Sequence, residues 1–386
     1  MRFLTSGESH GPALTVTVEG LPAGIPISLD GIHAEMKKRM TGSGAGGRML
    51  IETDEVRILS GIRFGKTIGS PVTLLIENRD YKNWGATMSA SEQPDEVRAA
   101  ARVTKPRPGH TDLAGVQKYA FDDVRNVLER ASARETTARV AAGALFKQFL
   151  AALGIEIASH TIRIGHLSLK RRDYGFDDVK ASYATDPETR CIDAALAQQM
   201  RDLIKDTRMR MDTLGGIVET WAVGVPVGLG SYVHFDRRLD GRIAQALMSI
   251  QSVKAVEIGD GILSAGLPGS EVHDEIIPDG SRGFDRNTNR AGGIEGGVTN
   301  GMPIIVRVYH KPISTLYKPM NTVDILSREP VKATVERSDI CIVPRGGVVS
   351  EAMLAYVLSN ALVEKFGGDV IGDIQASIRT YLARIR

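Results

Sequence analysis

Cysteine, aromatic residues and an excess of either charge are all scarce in this chain. Two cysteines in 386 residues, Cys191 and Cys341, make no disulfide framework, and neither has the neighbours of a metal site. They suit a reducing compartment. Only 5% of the residues are aromatic, which argues against the stacking surfaces of RNA and single-strand binders. A formal net charge of +2 gives no wholesale attraction to nucleic acid or membrane. The apolar stretches read as strand-sized, such as "MPIIVRVY" from residue 302, against the roughly 20 residues of a membrane span. No membrane segment is therefore expected. The N-terminal "MRFLTSGESHG" lacks the apolar block of a secretory signal, so a cytoplasmic location is expected. What remains is a chain long enough to bury a sizeable core, expected as a single integrated domain over 1–386.

Alternating apolar positions predict strands at 13–18 and 71–77, with a helix over 30–40 between them. The strongest helical segment is 123–152, opened by Asp122 and Asp123, rich in alanine and stopped at Gly154. Further helices are expected at 192–205, 240–256 and 350–366, and strands near 155–165, 215–226 and 302–309. Blocks in this irregular order favour an α+β fold over a doubly wound parallel sheet.

Two glycine-rich stretches imitate nucleotide motifs. "GSGAGG" at 42–47 satisfies the dinucleotide fingerprint, but a helix precedes it and a strand-like segment follows, the reverse of what a pyrophosphate at a helix N-terminus needs. "GIRFGKT" at 61–67 is one residue short of a P-loop, and a hairpin turn explains it better.

Cations cluster at "KKR" (37–39), "GGR" (46–48), "KPRPGH" (105–110) and Arg125, Arg130, Arg134 and Arg139. Each alone reads as a solvated face; together they point to a small polyanionic ligand. Ser9 and His10 stand between glycines just before Leu14, Val16 and Val18. In "TKPRPGHTD" two prolines and Gly109 hold Arg107 and His110 in a fixed relation, as a phosphate-handling loop requires. In "ERASARETTARV" Arg130 and Arg134 lie one helical turn apart near Ser132, among alanines that admit a flat ligand, although an exposed charged helix laced by Glu129 and Glu135 reads equally well. Five glycines crowd 292–301, a density tolerated where main chain takes unusual dihedrals or approaches a ligand. "KPIST" adds Lys311 and Thr315, and "RSDICIVPR" adds Arg337 and Asp339, a proton acceptor beside an anion holder.

The segments "GESHG", "KPRPGH", "ERASARET", "QSVKAVEIG", "AGGIEGGVTNG", "KPIST" and "RSDICIVPR" resemble those of the chorismate synthase family, in the same order over essentially the whole chain. That resemblance implies elimination of phosphate and a ring hydrogen from 5-enolpyruvylshikimate 3-phosphate, with reduced FMN required although no net redox change occurs. A transient electron from the flavin would help expel phosphate, and flavin N5 would receive the hydrogen. It implies that His10, with Ser9 beside it, protonates the leaving phosphate, that His110 sets the protonation of the reduced flavin, and that Asp339 relays a proton from flavin N5. Arg39, Arg48, Arg107, Arg134 and Arg337 would clamp phosphate and carboxylates. For FMN the matching positions are Arg130, Ala131, Ser132, Gln251, Ser252, Gly296, Lys311, Pro312, Ile313, Ser314, Thr315 and Arg337. The implied fold is a β-α-β sandwich of antiparallel sheets enclosing helices, assembled as a homotetramer, with no nucleic-acid or membrane partner and no metal. Some members also reduce their own flavin with a nicotinamide cofactor such as NADP; no credible nicotinamide motif stands here, so an external source of reduced FMN is expected. The chain departs from the family pattern at Ala45, where arginine is common, and at Ser338, where histidine is common. Arg48 is the nearest cation expected to compensate for Ala45. A flavin-independent lyase or transferase, and a non-catalytic anion or RNA binder, are the competing readings.

Overall fold

Strict alternation in "ALTVTVE" turns Leu14, Val16 and Val18 to one side of a strand and threonines to the other. In the computed structural model, which describes residues 1–46, 51–170, 173–280, 283–336 and 338–385, that apolar side is fully buried. Strands β1 (Arg2–Ser6), β2 (Ala13–Glu19), β3 (Val56–Ile58) and β4 (Val72–Glu77) form an antiparallel sheet in the order β1-β2-β4-β3. Val16 faces Leu74 across the β2–β4 pair. A second antiparallel sheet takes β5 (Glu156–Ile164), β6 (Leu167–Ser168), β7 (Gly216–Val223), β8 (Val253–Ile258) and β9 (Ile304–His310) in the order β8-β9-β7-β5-β6.

Helices fill the space between. Helix α1 (Leu29–Met40) starts where the Ser28 hydroxyl accepts from the Gly31 N–H, and ends in Lys37, Lys38 and Arg39, cations at the negative end of the helix dipole. Helices α2 (Arg125–Ala131) and α3 (Thr136–Ala151) follow, then α4 (Ala194–Met209), α5 (Leu239–Met248), α6 (Val343–Phe366) and α7 (Ile371–Ile385). Helix α3 packs on β2 and β4 and crosses α6, which packs in turn on β5 and β7. One apolar core therefore runs from the first sheet through both helices to the second. The fold is α+β, with mixed helix and antiparallel sheet.

Several expectations change. The segment 123–152 is not one helix, because Ser132 adopts an extended conformation (φ −60°, ψ 143°) and its hydroxyl accepts from the Arg134 N–H, starting a new helical turn. The helix expected over 240–256 stops at Met248; residues 253–258 pair with β9 instead, and the intervening turn carries Ser252 at φ 70°. Helix α6 begins seven residues early, with Pro344 in the first turn, where its missing N–H costs nothing. It also exceeds the strand-sized limit read for apolar stretches: it is the one described helix long and apolar enough to cross a membrane, and most of it is buried in the core. Residues 61–67 form the expected hairpin, Ile62–Arg63 against Lys66–Thr67.

The α3–α6 crossing depends on a missing side chain. A Cβ on Gly143 would lie 2.2 Å from Ala352 Cβ and 2.6 Å from its Cα. Glycine to alanine in an exposed helix stabilises by up to about 1 kcal/mol. Here overpacking of about 1–3 kcal/mol outweighs that gain. Gly143→Ala is expected to lower the midpoint of urea unfolding; a raised midpoint would show that the helices can separate freely.

Candidate active site

The turn before β2, the 107–112 loop, the break at Ser132, the turn after α5, and the segments 311–315 and 338–345 converge on a cavity of about 550 Å³. Its lining contains Ser9, His10, Arg39, Arg107, His110, Ala131, Ser132, Arg134, Gln251, Ser252, the whole of Lys311–Thr315, and Asp339. Most of the residues singled out in sequence thus meet in one place. Arg48 and Arg337 lie outside the described residues.

Two expected residues are not brought there. Arg130 is exposed on α2, and its guanidinium donates to the carbonyls of Thr5 and Gly7 and to the Thr5 hydroxyl. The helix break separates it from Arg134, so the two do not share a face. Gly296 is exposed at the two-residue turn of the hairpin Ile294–Glu295/Val298–Thr299, with φ 59° there and 87° at Gly297. Glycine there serves the turn.

Each histidine has a buried carboxylate behind it. His10 Nδ1 lies 2.9 Å from Glu129 Oε1, and the Ser9 hydroxyl donates to Ser132 at 3.1 Å. His110 Nδ1 contacts Asp112 Oδ1 at 2.5 Å. Asp112 also accepts from the backbone N–H of Arg107 at 3.0 Å and from its Nε at 2.9 Å, while Arg107 Nη1 donates to Thr315 at 2.8 Å. Burial works against ionisation of Asp112, but hydrogen bonds from His110 and Arg107 outweigh it and hold the carboxyl far below its ordinary pKa.

The arginines are buried and shared. Arg39, from the last turn of α1, donates to Asp54 Oδ2 at 3.1 Å, to the Thr136 hydroxyl at 3.1 Å and to the Ala133 carbonyl at 3.2 Å. Arg134 pairs with the other oxygen of Asp54, donates to Asn78 Oδ1 at 3.0 Å and lies 3.5 Å from Glu52. Burial pushes the pKa of Arg39 down to about 10, which leaves it charged at neutral pH. Asp339 accepts from the Gly46 N–H at 2.7 Å and pairs with buried Arg345 at 2.6 Å, so it also ties the 42–46 loop to α6. Among the described residues, Arg208 donates to the Ala45 carbonyl at 3.2 Å, while Lys38 turns to Glu35.

Sequence reasoning passed over Asp54, Glu52, Asp112, Trp84 and Arg345, and read Glu129 only as lacing an exposed helix, whereas it is buried. "HTD" after the proline loop, and Arg125 four residues before Glu129, were the signals for two of them.

Architecture and lining together make a cavity rich in buried arginine, with two carboxylate-backed histidines in its wall. The family profile for chorismate synthase matches residues 1–363. "Chorismate synthase 1" of Bacillus cereus strain ZK is 51% identical over 384 residues, 99% of this chain and 98% of that protein. "Chorismate synthase" of Brevibacillus brevis (strain 47 / JCM 6285 / NBRC 100599) is 50% identical over 383 residues, 99% of each. A solved structure described as "Crystal Structure of Chorismate Synthase" superposes with a TM-score of 0.80 at 40% identity, covering 100% of this chain and 98% of the other. The chain belongs to the chorismate synthase family and carries its lyase activity, the shikimate-pathway step toward aromatic amino acids.

His310, at the base of the Lys311–Thr315 wall, ties the site to stability. Its Nδ1 lies 2.9 Å from the Ser252 hydroxyl, and burial pushes its pKa from 6.5 down to about 4. The folded imidazole is therefore neutral, whereas the unfolded chain takes up a proton below about pH 6.5. Stability from this group is complete above pH 6.5 and is lost as pH falls toward 4. Urea titrations are expected to show about 2 kcal/mol lost from this source between pH 6.5 and 5, above the carboxylate range. His310→Gln should flatten that slope; the parental slope in the variant would assign it to other groups.

Proposed function

We propose that this cavity binds reduced FMN together with 5-enolpyruvylshikimate 3-phosphate and eliminates phosphate to give chorismate. The observation that carries the reading is the meeting of His10 and His110, each backed by a buried carboxylate, with buried Arg39, Arg107 and Arg134 in one cavity. The residues fit a flavin: Gln251 Oε1 is a buried acceptor with no hydrogen-bond partner among the described residues, suited to a ring N–H, beside Ala131, Ser132, Ser252 and Lys311–Thr315. When bound, reduced FMN supplies the electron density that weakens the C–O bond to phosphate, and takes up the ring hydrogen.

The chain's own residues do the rest. Arg39, Arg107 and Arg134 hold the phosphate and carboxylates, aided by Arg48 and Arg337. His10 donates a proton to a phosphate oxygen as it leaves, with Ser9 and Ser132 beside it. His110 keeps the flavin in its reduced protonation state, and Asp339 carries a proton away. Arg130 and Gly296 have less support as flavin contacts than the cavity residues. The enzyme is cytoplasmic and works as a homotetramer; Tyr232, Val233 and Phe235, all largely exposed on one segment, offer apolar surface for subunit contact. Its reduced flavin comes from outside.

An anaerobic phosphate-release assay tests the reading, with turnover expected only when chemically reduced FMN is supplied. Full-rate release without flavin would favour a flavin-independent lyase. His10→Ala and His110→Ala should each lower turnover by about 10²-fold or more while substrate still binds in calorimetry. In Asp339→Asn, flavin binding should survive and turnover fall; lost flavin binding would assign this residue to loop structure alone.

A further inference from the structure

Glu129 has no role above beyond backing His10, yet among the described residues it is the side chain that holds His10 through the backbone and the ring together. It is 3% exposed near the end of α2. Its Oε2 accepts from the backbone N–H of His10 at 2.8 Å, and its two oxygens lie 2.9 and 3.0 Å from His10 Nδ1. Arg125, one turn earlier, donates to Oε1 at 3.1 Å. The Arg125 guanidinium also lies over the Trp84 ring, 5.2 Å from its centroid, and Trp84 stacks on the His10 imidazole at 3.9 Å with 24° between the planes. Trp84 is itself anchored, its Nε1 donating to buried Asp80 at 3.3 Å. The imidazole is thus gripped on one edge by a carboxylate and on one face by an indole.

The carboxylate dictates which nitrogen works. Burial would raise the pKa of Glu129, but hydrogen bonds and charge from His10, with the charge of Arg125, hold it below its ordinary value. An ionised carboxylate only accepts, so Nδ1 must carry a hydrogen that stays on Glu129, and proton exchange with a ligand falls to Nε2.

We propose that Glu129, with Trp84, is a positioning residue of the elimination, fixing the tautomer and ring plane of His10 so that Nε2 delivers its proton to the departing phosphate. His10 starts as the imidazolium, with hydrogen on both nitrogens. The C–O bond breaks with its electron pair leaving on phosphate, and a phosphate oxygen takes the Nε2 proton. The electrons of the substrate's ring C–H bond close the new double bond as that hydrogen departs to the flavin named above. His10 is left neutral with Nδ1–H on Glu129, which keeps its charge throughout. The inference rests on the reading of His10 as proton donor.

Glu129→Gln retains size but replaces an acceptor oxygen with a donor, which cannot serve the His10 N–H, Nδ1–H and Arg125 together. With reduced FMN supplied, kcat is expected to fall about 10²-fold while KM stays within about threefold. The double variant His10→Ala/Glu129→Gln should be no slower than His10→Ala alone, since both remove one device. In the flavin-free, ¹⁵N-histidine-labelled protein, long-range ¹⁵N–¹H spectra should show Nδ1–H at His10 in the parent and its loss in Glu129→Gln. Glu129→Asp, with the carboxylate drawn back by one methylene, should show the same pattern at smaller amplitude and serves if the Gln variant does not fold. Parental kcat in Glu129→Gln, additive losses in the double variant, or unchanged His10 nitrogen signals would each overturn the positioning role. Intact turnover in His10→Ala would instead overturn the proton-donor reading beneath it.

Discussion

The cavity depends on one interruption, the extended backbone at Ser132. Along a continuous helix each residue turns about 100° from the last, so neighbours in "ERASARET" would radiate to all sides of a single rod. The break divides that rod into two helical pieces that meet at the cavity. Glu129 then reaches His10, Ser132 meets Ser9, Arg134 reaches Asp54 and Asn78, and Glu135 accepts from Thr5, Gln251 and Arg139. Four residues within 129–135 therefore touch β1, the turn before β2, the loops flanking β3 and β4, and the turn after α5. Ser132 is tolerated there because its hydroxyl replaces a lost helical bond by capping the Arg134 N–H.

That interruption is also what sequence reasoning could not find. Alanine, arginine and glutamate all favour helix, and nothing local in 129–136 outweighs that preference. The break is stabilised by Asp54 and Asn78, more than fifty residues away, whose pairing with Arg134 is a tertiary fact. Residues 253–258 failed for a related reason: "VKAVEI" continues a helical pattern on paper, and only β9 beside it makes it a strand. By contrast β2, β4 and the hairpin at 61–67 were legible, because alternation and turn chemistry are written within a few residues.

Site residues divide along the same line. Histidines and arginines in glycine- and proline-rich loops stand out, and their order along the chain resembles a known family. The carboxylates that aim them do not stand out. Glu129, four residues after Arg125, has the spacing of an ordinary surface pair, and Asp54 sits in a short acidic run like many others. Groups that touch ligand are chemically conspicuous, whereas groups that orient them use common residues whose role appears only once burial is known.

Arg39 and Arg134 show why such orienting groups also govern energetics. Both guanidiniums are buried, and both pair with the single carboxylate of Asp54, the second also approaching Glu52. Burial, with neighbouring Arg134 and Arg345, lowers the pKa of Arg39 while Asp54 and Asp339 raise it, so the charge is kept. Arg134 Nη2 stays buried with no hydrogen-bond partner among the described residues. A further acceptor placed on that nitrogen would relieve the cost, yet it would compete with an anionic ligand for the same donor. Leaving that donor unmet keeps hydrogen-bonding capacity at the cavity wall, at some expense to stability. The same unmet donor that costs the empty fold is the one open to a phosphate or carboxylate oxygen under the function proposed above.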